Sequence, residues 1–335
     1  MLDRYGRVIN YLRISVTDRC NLRCCYCMPE GVQDVGMKNI LTFEEIWEIV
    51  RTGVSLGITH IRITGGEPLV RKGCVDLIRG IREIPGVETI TMTTNGVLLG
   101  NYGKQLKEAG VDGVNISLDT LDPEEFYKIT GKRELQEVLA GIRAAKTAGL
   151  PVKLNAVNRK ELDPIPLVRY AQEENLPLRF IEIMPVGYGK KYVGRSNEEL
   201  RETLEAVCGK AECMTNREEL SRMGSGPAVY YQFSDLKVPV GFISAIHGKF
   251  CDTCNRVRLT AEGYLKLCLC YDEGEDLRRV LREGEKENLR TIMEQTIFRK
   301  PAAHCFEHPA EMTERHEMVK IGGYSRHNRK EQFWE

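Results

Sequence analysis

Residues 42–68 read TFEEIWEIVRTGVSLGITHIRITGGEP, and two periods meet inside this segment. Phe43, Ile46, Trp47, Val50 and Val54 recur at i, i+3, i+4, i+7 and i+11, the apolar stripe of a helix that packs on a sheet. Thr42 ahead of Phe43, with Glu45 three residues on, predicts a capping box at its start. Beyond Gly57 the pattern changes to a β-branched run, Ile61 to Ile63, that stops on Thr64-Gly65-Gly66-Glu67-Pro68. A capped helix feeding a strand is half of a β–α–β unit, and the alternation continues on both sides. Further strands are predicted at Leu12 to Ser15, Thr89 to Met92, Val114 to Leu118, Val152 to Ala156 and Leu178 to Ile183. Together these units predict an α/β fold, an incomplete (β/α)6 TIM-type barrel. A doubly wound sheet is the alternative, because strand order is not written in one sequence.

After residue 186 the character changes to a Gly-rich loop, a helix from Glu198 to Val207, and strands near Val229 to Phe233, Val240 to Ile246 and Arg256 to Leu267 that read as antiparallel. Glu275 to Arg299 reads as two charged helices. The predicted organisation is therefore a barrel module over 1–186, a C-terminal α+β module over 187–323, and a polar tail over 324–335. Lys plus Arg and Asp plus Glu each total 48 of 335 residues, which argues against a nucleic-acid or anionic-membrane binder driven by bulk charge. The first residues lack the apolar core of a signal peptide, and no run approaches the roughly 18 apolar residues of a membrane span. A cytoplasmic protein is expected. There, 12 cysteines point to metal ligation rather than disulfides.

Cys20, Cys24 and Cys27 form C-x3-C-x2-C in the loop after the first strand. Three thiolates leave one iron of a [4Fe–4S] cube open to a non-protein ligand, whereas zinc would want a fourth ligand. Cys25, adjacent to Cys24, is read as a bystander. A second trio, Cys251, Cys254 and Cys268, lies within FCDTCNRVRLTAEGYLKLC, residues 250–268. Its spacing alone suits either structural zinc, with Cys270 or His247 as fourth ligand, or a second open cluster. Cys74, Cys208, Cys213, Cys270 and Cys305 have no such context and read as ordinary thiols.

The first trio, with Tyr26 before its last Cys and the Gly-Gly-Glu-Pro that ends the second strand, resembles the radical S-adenosylmethionine (SAM) superfamily. The second trio, with NRVRLT and AEGYLKLCL, resembles the GTP 3',8-cyclase family, which takes the first step of molybdenum cofactor (molybdopterin) biosynthesis. The resemblance runs from Arg13 to Gly323. It implies two [4Fe–4S] clusters, the second one contacting guanine, and a radical SAM lyase that converts GTP to 3',8-cyclo-7,8-dihydro-GTP. In that chemistry Cys20, Cys24 and Cys27 are catalytic as ligands of the SAM-cleaving cluster, and the resulting 5'-deoxyadenosyl radical takes the ribose 3' hydrogen. It further implies Tyr26, Gly66, Ser117 and Met184 as SAM contacts, and Arg13, Arg62, Thr93, Lys153, Arg256 and Arg258 as GTP contacts. Glu67, Asn155 and Arg179 would support them. An electron donor of flavodoxin or ferredoxin type and a downstream cyclic pyranopterin monophosphate synthase are the implied partners of a monomer or homodimer. Another radical SAM maturase with an auxiliary 4Fe–4S cluster, or a zinc-stabilised binding protein on an inactive barrel, are the other readings.

Arginines give support independent of the resemblance. Arg13, Arg62 and Arg179 sit in apolar strands, and a buried guanidinium without a partner is costly. Each alone could pair with Glu67, Asp119 or Glu182. Three converging in one barrel, with Arg256 and Arg258 beside the second trio and Lys153 opposite, suit a triphosphate better. Thr93, Thr94, Asn95, Ser117, Asp119 and Glu182 are further candidates, since reactive groups in β/α barrels lie at the C-terminal ends of strands. Gly187-Tyr188-Gly189-Lys190-Lys191 reads as a linker or lid. In the resembling family the chain ends in Gly-Gly; here Gly322-Gly323 is followed by Tyr324 to Glu335, and truncation after Gly323 is expected to preserve or raise turnover.

Overall fold

A computed structural model describes residues 1–31, 36–224, 226–316 and 318; Gly322-Gly323 and the tail 324–335 lie outside the described residues. The first half runs β1 (Tyr11–Ser15), α1 (Phe43–Ser55), β2 (His60–Thr64), α2 (Cys74–Arg82), β3 (Thr89–Thr94), α3 (Leu99–Glu108) and β4 (Gly113–Ser117). A helix pair, α4 (Pro123–Thr130) and α5 (Leu135–Thr147), leads to β5 (Val152–Asn158), α6 (Ile165–Glu173) and β6 (Leu178–Glu182). Then come α7 (Asn197–Cys208), β7 (Ala211–Cys213), α8 (Arg217–Arg222), β8 (Val229–Phe233), β9 (Val240–Ile243), β10 (Arg256–Leu259), β11 (Tyr264–Lys266) and β12 (Gly274–Asp276). Helices α9 (Leu277–Arg282) and α10 (Leu289–Phe298) follow.

The helix in the opening quotation forms as its period requires. Thr42 accepts from the Glu45 backbone N–H and the Glu45 carboxylate accepts from that of Thr42, the reciprocal capping box. Its apolar stripe buries Ile46, Ile49 and Val50. Trp47 lies so close over α2 that a Cβ on Gly80 would sit 2.4 Å from the indole, and Trp47 Nε1 donates to the Leu77 carbonyl at 3.0 Å. Among the described residues no helix is long and apolar enough to cross a membrane.

The 12 strands of the described residues join one sheet in the order β12-β11-β10-β1-β2-β3-β4-β5-β6-β9-β8-β7. Strands β1 to β6 follow one another in parallel without the reversal of order that a doubly wound sheet requires. The expectation of purely antiparallel pairing beyond residue 186 is corrected here. β9 lies parallel to β6 and β10 parallel to β1, so the C-terminal half adds one parallel strand to each edge of the barrel. Antiparallel pairing is confined to β7–β8–β9 and β10–β11–β12 outside them. The sheet curls enough that Arg258 of β10 and Ile243 of β9 line the same cavity.

Strand alternation decides what faces that interior. In β5, Val152, Leu154, Ala156 and Asn158 are buried toward the helices, whereas Lys153, Asn155 and Val157 keep partial exposure on the other face. The helix-facing side is filled by Leu12, Ile14, Ile61, Ile63, Ile90, Met92, Ile116 and Leu154.

Candidate active site

Register brings cations together that the sequence separates by up to 245 residues. Arg13 in β1 pairs across to Arg62 in β2 and to Arg258 in β10, so three arginines stand abreast on adjacent strands. One position earlier on the same face, Tyr11 pairs with Arg256. Farther round, Thr93 neighbours Asn115, Asn115 neighbours Lys153, and Asn155 neighbours Arg179. Every one of these points inward by the same two-residue alternation.

None of Arg13, Arg62, Arg179, Arg256 and Arg258 makes an ion pair among the described residues. The carboxylates that could have served them are committed elsewhere. Glu67, fully buried, accepts from the backbone of Leu69 (3.1 Å) and Asn95 (2.7 Å) and from Thr94 Oγ1 (2.9 Å). Asp119 accepts from Tyr26 OH and the Val157 amide, both at 2.8 Å. Glu182 accepts from Asn197, Ile246 and His247. Arg179 instead donates to the neutral amides of Asn115 and Asn155, and Arg62 to Thr91 Oγ1 at 3.1 Å.

The cost shows in their acidity. Burial, then repulsion from Arg258 and Arg62, holds Arg13 well below the usual guanidinium range. Burial and Arg256 bring Arg258 down to about 10, and burial with Arg179 and Arg62 brings Lys153 down to about 8. A cluster of cations that weaken one another, with no carboxylate among them, is built for an external anion.

A cavity of about 310 Å³ is lined by the second trio and by Tyr26, which lies within the first trio's motif. Tyr26, Ser117, Asp119, Asn155 and Met184 line one end, and Cys251, Cys254, Cys268, Phe250 and Phe306 the other, with Arg13, Arg62, Thr93, Arg179, Arg256 and Arg258 between. A second cavity of about 510 Å³ opens at the other end of the barrel and shares Tyr11, Arg62 and Arg179 with the first. Lys153 lines this lower cavity rather than the upper one, and its ammonium donates to the Met223 carbonyl at 2.6 Å. Gly66 and Glu67 line neither. A Cβ on Gly66 would sit 2.4 Å from the Arg19 carbonyl oxygen and 2.6 Å from that of Asp18, so the Gly-Gly turn is pressed against the backbone that leads into Cys20.

The cysteine trios fit iron–sulfur clusters better than single ions. Cys24, driven far up by burial, also feels Cys27, Cys20 and Cys25 as neighbours, a crowding of thiols that cationic iron relieves. Asn95 Nδ2 lies 3.7 Å from Cys20 Sγ, the kind of donor that tunes a ligating sulfur. At the second trio, burial opposes ionisation of Cys254 but Lys300 and Arg256 outweigh it and lower its pKa. Among the described residues no group of three or more His, Cys, Asp or Glu is arranged to hold a single metal ion, whereas thiolates on three different irons of a cube need not converge. Each candidate fourth ligand for zinc has a neighbour of its own. His247 Nδ1 is 2.9 Å from Glu182, and Cys270 Sγ faces Cys305 Sγ at 3.1 Å in a buried cluster.

Four residues lining the upper cavity each carry a buried polar atom without a close hydrogen-bond partner among the described residues: Arg13 Nε, Thr93 Oγ1, Arg256 Nε and His304 Nε2. The first three belong to residues singled out from the sequence. His304 does not, and neither does Arg7, which pairs with Asp3 and donates to the carbonyls of Cys251 (2.9 Å), Ala302 (2.7 Å) and Pro301 (2.6 Å), clamping the second trio's turn. Neither sits in a spacing pattern that would have marked it; both act from segments far from the cysteines they serve.

A family model described as the Radical SAM superfamily matches residues 14–164, and one described as Molybdenum Cofactor Synthesis C matches residues 176–306. The chain is 42% identical over 330 residues to a GTP 3',8-cyclase of Clostridium perfringens (strain 13 / Type A), covering 96% of this chain and 100% of that one. Identity to a GTP 3',8-cyclase of Peptoclostridium acidaminophilum is 45% over 334 residues, covering 96% and 98%. Among solved structures, Streptococcus suis SuiB bound to S-adenosylmethionine superposes with a TM-score of 0.63 at 15% identity, over 93% of this chain and 77% of that one. At that identity the likeness speaks to the fold.

Proposed function

This chain belongs to the GTP 3',8-cyclase family of the radical SAM superfamily, and on that premise we propose the following account of how its residues do the family's chemistry. The enzyme is a lyase that converts GTP to 3',8-cyclo-7,8-dihydro-GTP, the first step of molybdenum cofactor biosynthesis, with SAM and two [4Fe–4S] clusters as cofactors. The observation that carries the substrate is the set of five arginines, without a carboxylate partner among the described residues, lining the cavity that Tyr26 and the second trio share.

In this account Cys20, Cys24 and Cys27 hold the first cluster and Cys251, Cys254 and Cys268 the second. Bound there, the first cluster and SAM supply one-electron chemistry that removes the ribose 3' hydrogen. Tyr26, Gly66, Ser117 and Met184 hold SAM, with Glu67 and Asn155 behind them. Arg13, Arg62, Arg256 and Arg258 grip the nucleotide's phosphates as planar forks, helped by Thr93 and by Lys153 from the lower cavity, while Arg179 braces the asparagines. Fixing both ends of the nucleotide holds ribose C3' over guanine C8, so that the ring closes before another hydrogen donor intervenes. The barrel wall excludes water from the reacting carbon. We assign 1–186 to the SAM module, 187–323 to the module of the second cluster, and 324–335 to a tail outside both. The reading further includes a flavodoxin- or ferredoxin-type donor, a cyclic pyranopterin monophosphate synthase downstream, a monomer or homodimer, and a cytoplasmic location.

Anaerobic incubation with GTP, SAM and reductant tests the reaction by mass spectrometry. The cyclic product is expected; deoxyadenosine formed with GTP unchanged would overturn the substrate. Iron per chain, near eight in the wild type and near four after Cys251→Ala/Cys254→Ala/Cys268→Ala, tests the two clusters.

A further inference from the structure

We propose that Asn95 raises the reduction potential of the first cluster by donating a hydrogen bond from its side-chain amide to Cys20 Sγ. The proposal deepens the radical SAM reading and rests on it. Asn95 follows the last residue of β3 and opens a tight turn. Its Oδ1 accepts from the Val97 amide at 3.1 Å, an Asx turn, and Gly96 between them takes φ +85°. Buried Glu67 anchors the same turn, accepting from the Asn95 amide at 2.7 Å and from Thr94 Oγ1 at 2.9 Å. The end of β3 is thereby tied to the Gly-Gly-Glu-Pro turn, which presses on the backbone before Cys20.

The turn also settles which end of the amide faces the cysteine. With Oδ1 held by Val97, Nδ2 points to the first trio, 2.8 Å from Asn21 Oδ1 and 3.7 Å from Cys20 Sγ. An amide nitrogen carries two hydrogens, so both acceptors are served at once. An aspartate would close the same Asx turn through its own oxygen. The turn therefore accounts for the oxygen at position 95, and the contact with Cys20 accounts for the nitrogen.

Cys20 Sγ receives a further donor, the Leu22 backbone amide at 3.4 Å. At the second trio, Cys251 Sγ accepts from the His304 backbone amide at 3.4 Å. Such backbone donors follow the path of the chain whatever its side chains are, whereas the donor on Asn95 belongs to the residue type. Reduction of the first cluster takes one electron from the donor protein, with no bond made or broken. The added charge spreads onto the ligating sulfurs, and an N–H aimed at one of them stabilises the reduced state more than the oxidised one. Asn95 acts through Cys20 and is a positioning residue for that electron.

EPR-monitored redox titration of the anaerobically reconstituted full chain tests this on wild type, Asn95→Leu and Asn95→Asp, with iron per chain measured on each. The first cluster is identified as the one whose signal SAM alters. Asn95→Leu removes the donor at similar size. Its equilibrium constant for reduction should fall about tenfold, the worth of one hydrogen bond to a charged group, which is about 59 mV for a one-electron couple. Asn95→Asp keeps the turn but sets a carboxylate against the sulfur, and its potential should fall further. The other cluster should keep its potential in both variants. A purely structural role would lower iron content and leave the potential of the retained first cluster unmoved. A wild-type potential in either variant at full iron overturns the proposal, as does an equal shift of both clusters. Should the variants lose the first cluster, the wild type decides. In protein labelled with 15N on asparagine side chains, pulsed EPR should show a nitrogen coupled to the reduced first cluster that Asn21→Asp retains, and its absence overturns the proposal. Absence of any SAM-responsive cluster overturns the radical SAM reading itself; such a cluster with a potential indifferent to position 95 overturns the Asn95 contact alone.

Discussion

Replacing Arg13 by Met should make the protein more stable and a poorer binder of GTP. Arg13 stands between Arg62 and Arg258 in register, both of which depress its pKa after burial has done so, and its Nε is buried without a partner. Leaving such a donor unsatisfied costs about 1–3 kcal/mol, and Met keeps the apolar stem's volume without it. Each kcal/mol corresponds to about 2–4 °C in Tm for a domain somewhat smaller than this one, so Arg13→Met should unfold roughly 2–10 °C above wild type in the absence of nucleotide. A charge-assisted hydrogen bond to phosphate is worth about 1.5–3 kcal/mol, so the GTP Kd should rise by roughly 10- to 150-fold. Differential scanning calorimetry and isothermal titration calorimetry on samples of matched iron content give both numbers. A lower Tm would mean that Arg13 has a stabilising partner in the nucleotide-free protein, and an unchanged Kd would mean that the cation row does not face the substrate; either refutes the reasoning.

Gly66→Ala should empty the first cluster site selectively, because its Cβ would sit 2.4 Å from the Arg19 carbonyl oxygen and must push the backbone before Cys20 aside; iron per chain near four instead of eight is the expected result, and full iron loading would show that the turn can yield. Lys153, lowered to about 8 by burial and by Arg179 and Arg62, should be recharged when a triphosphate arrives. At pH 8 about half a proton per chain should be taken up on GTP binding, read as a dependence of calorimetric heat on buffer ionisation enthalpy that Lys153→Met abolishes; the sign follows from an anion raising the pKa of a half-deprotonated ammonium. A variant with the same buffer dependence as wild type would assign the uptake to another group.

Much of this architecture was legible because its signals are local. The capping box of Thr42 and Glu45 and the stripe of α1 depend on residues within four of each other, and both are present in the structure. The six barrel strands were found where their β-branched runs lie, with ends shifted by one or two residues. Pairing beyond residue 186 was less legible. Whether β9 and β10 run parallel or antiparallel depends on which edge of the barrel each one meets, and nothing within either strand encodes the direction of a neighbour sixty or more residues away.

The same division holds at the site. Cysteine spacing and the Gly-Gly-Glu-Pro turn are short motifs, and from them the sequence alone pointed to the superfamily and to the six cysteines proposed as ligands, whereas the choice of a barrel over a doubly wound sheet waited for the strand order. Tertiary structure alone decided that Glu67, Asp119 and Glu182 already have partners, and that Arg13, Arg62 and Arg258 therefore stand together without a carboxylate partner among the described residues. The physical reason is that satisfaction of a buried polar group is a property of all its neighbours at once. Those neighbours come from strands and loops up to 245 positions apart, as Arg13 and Arg258 are, and only the closing of the sheet brings them within reach of one ligand.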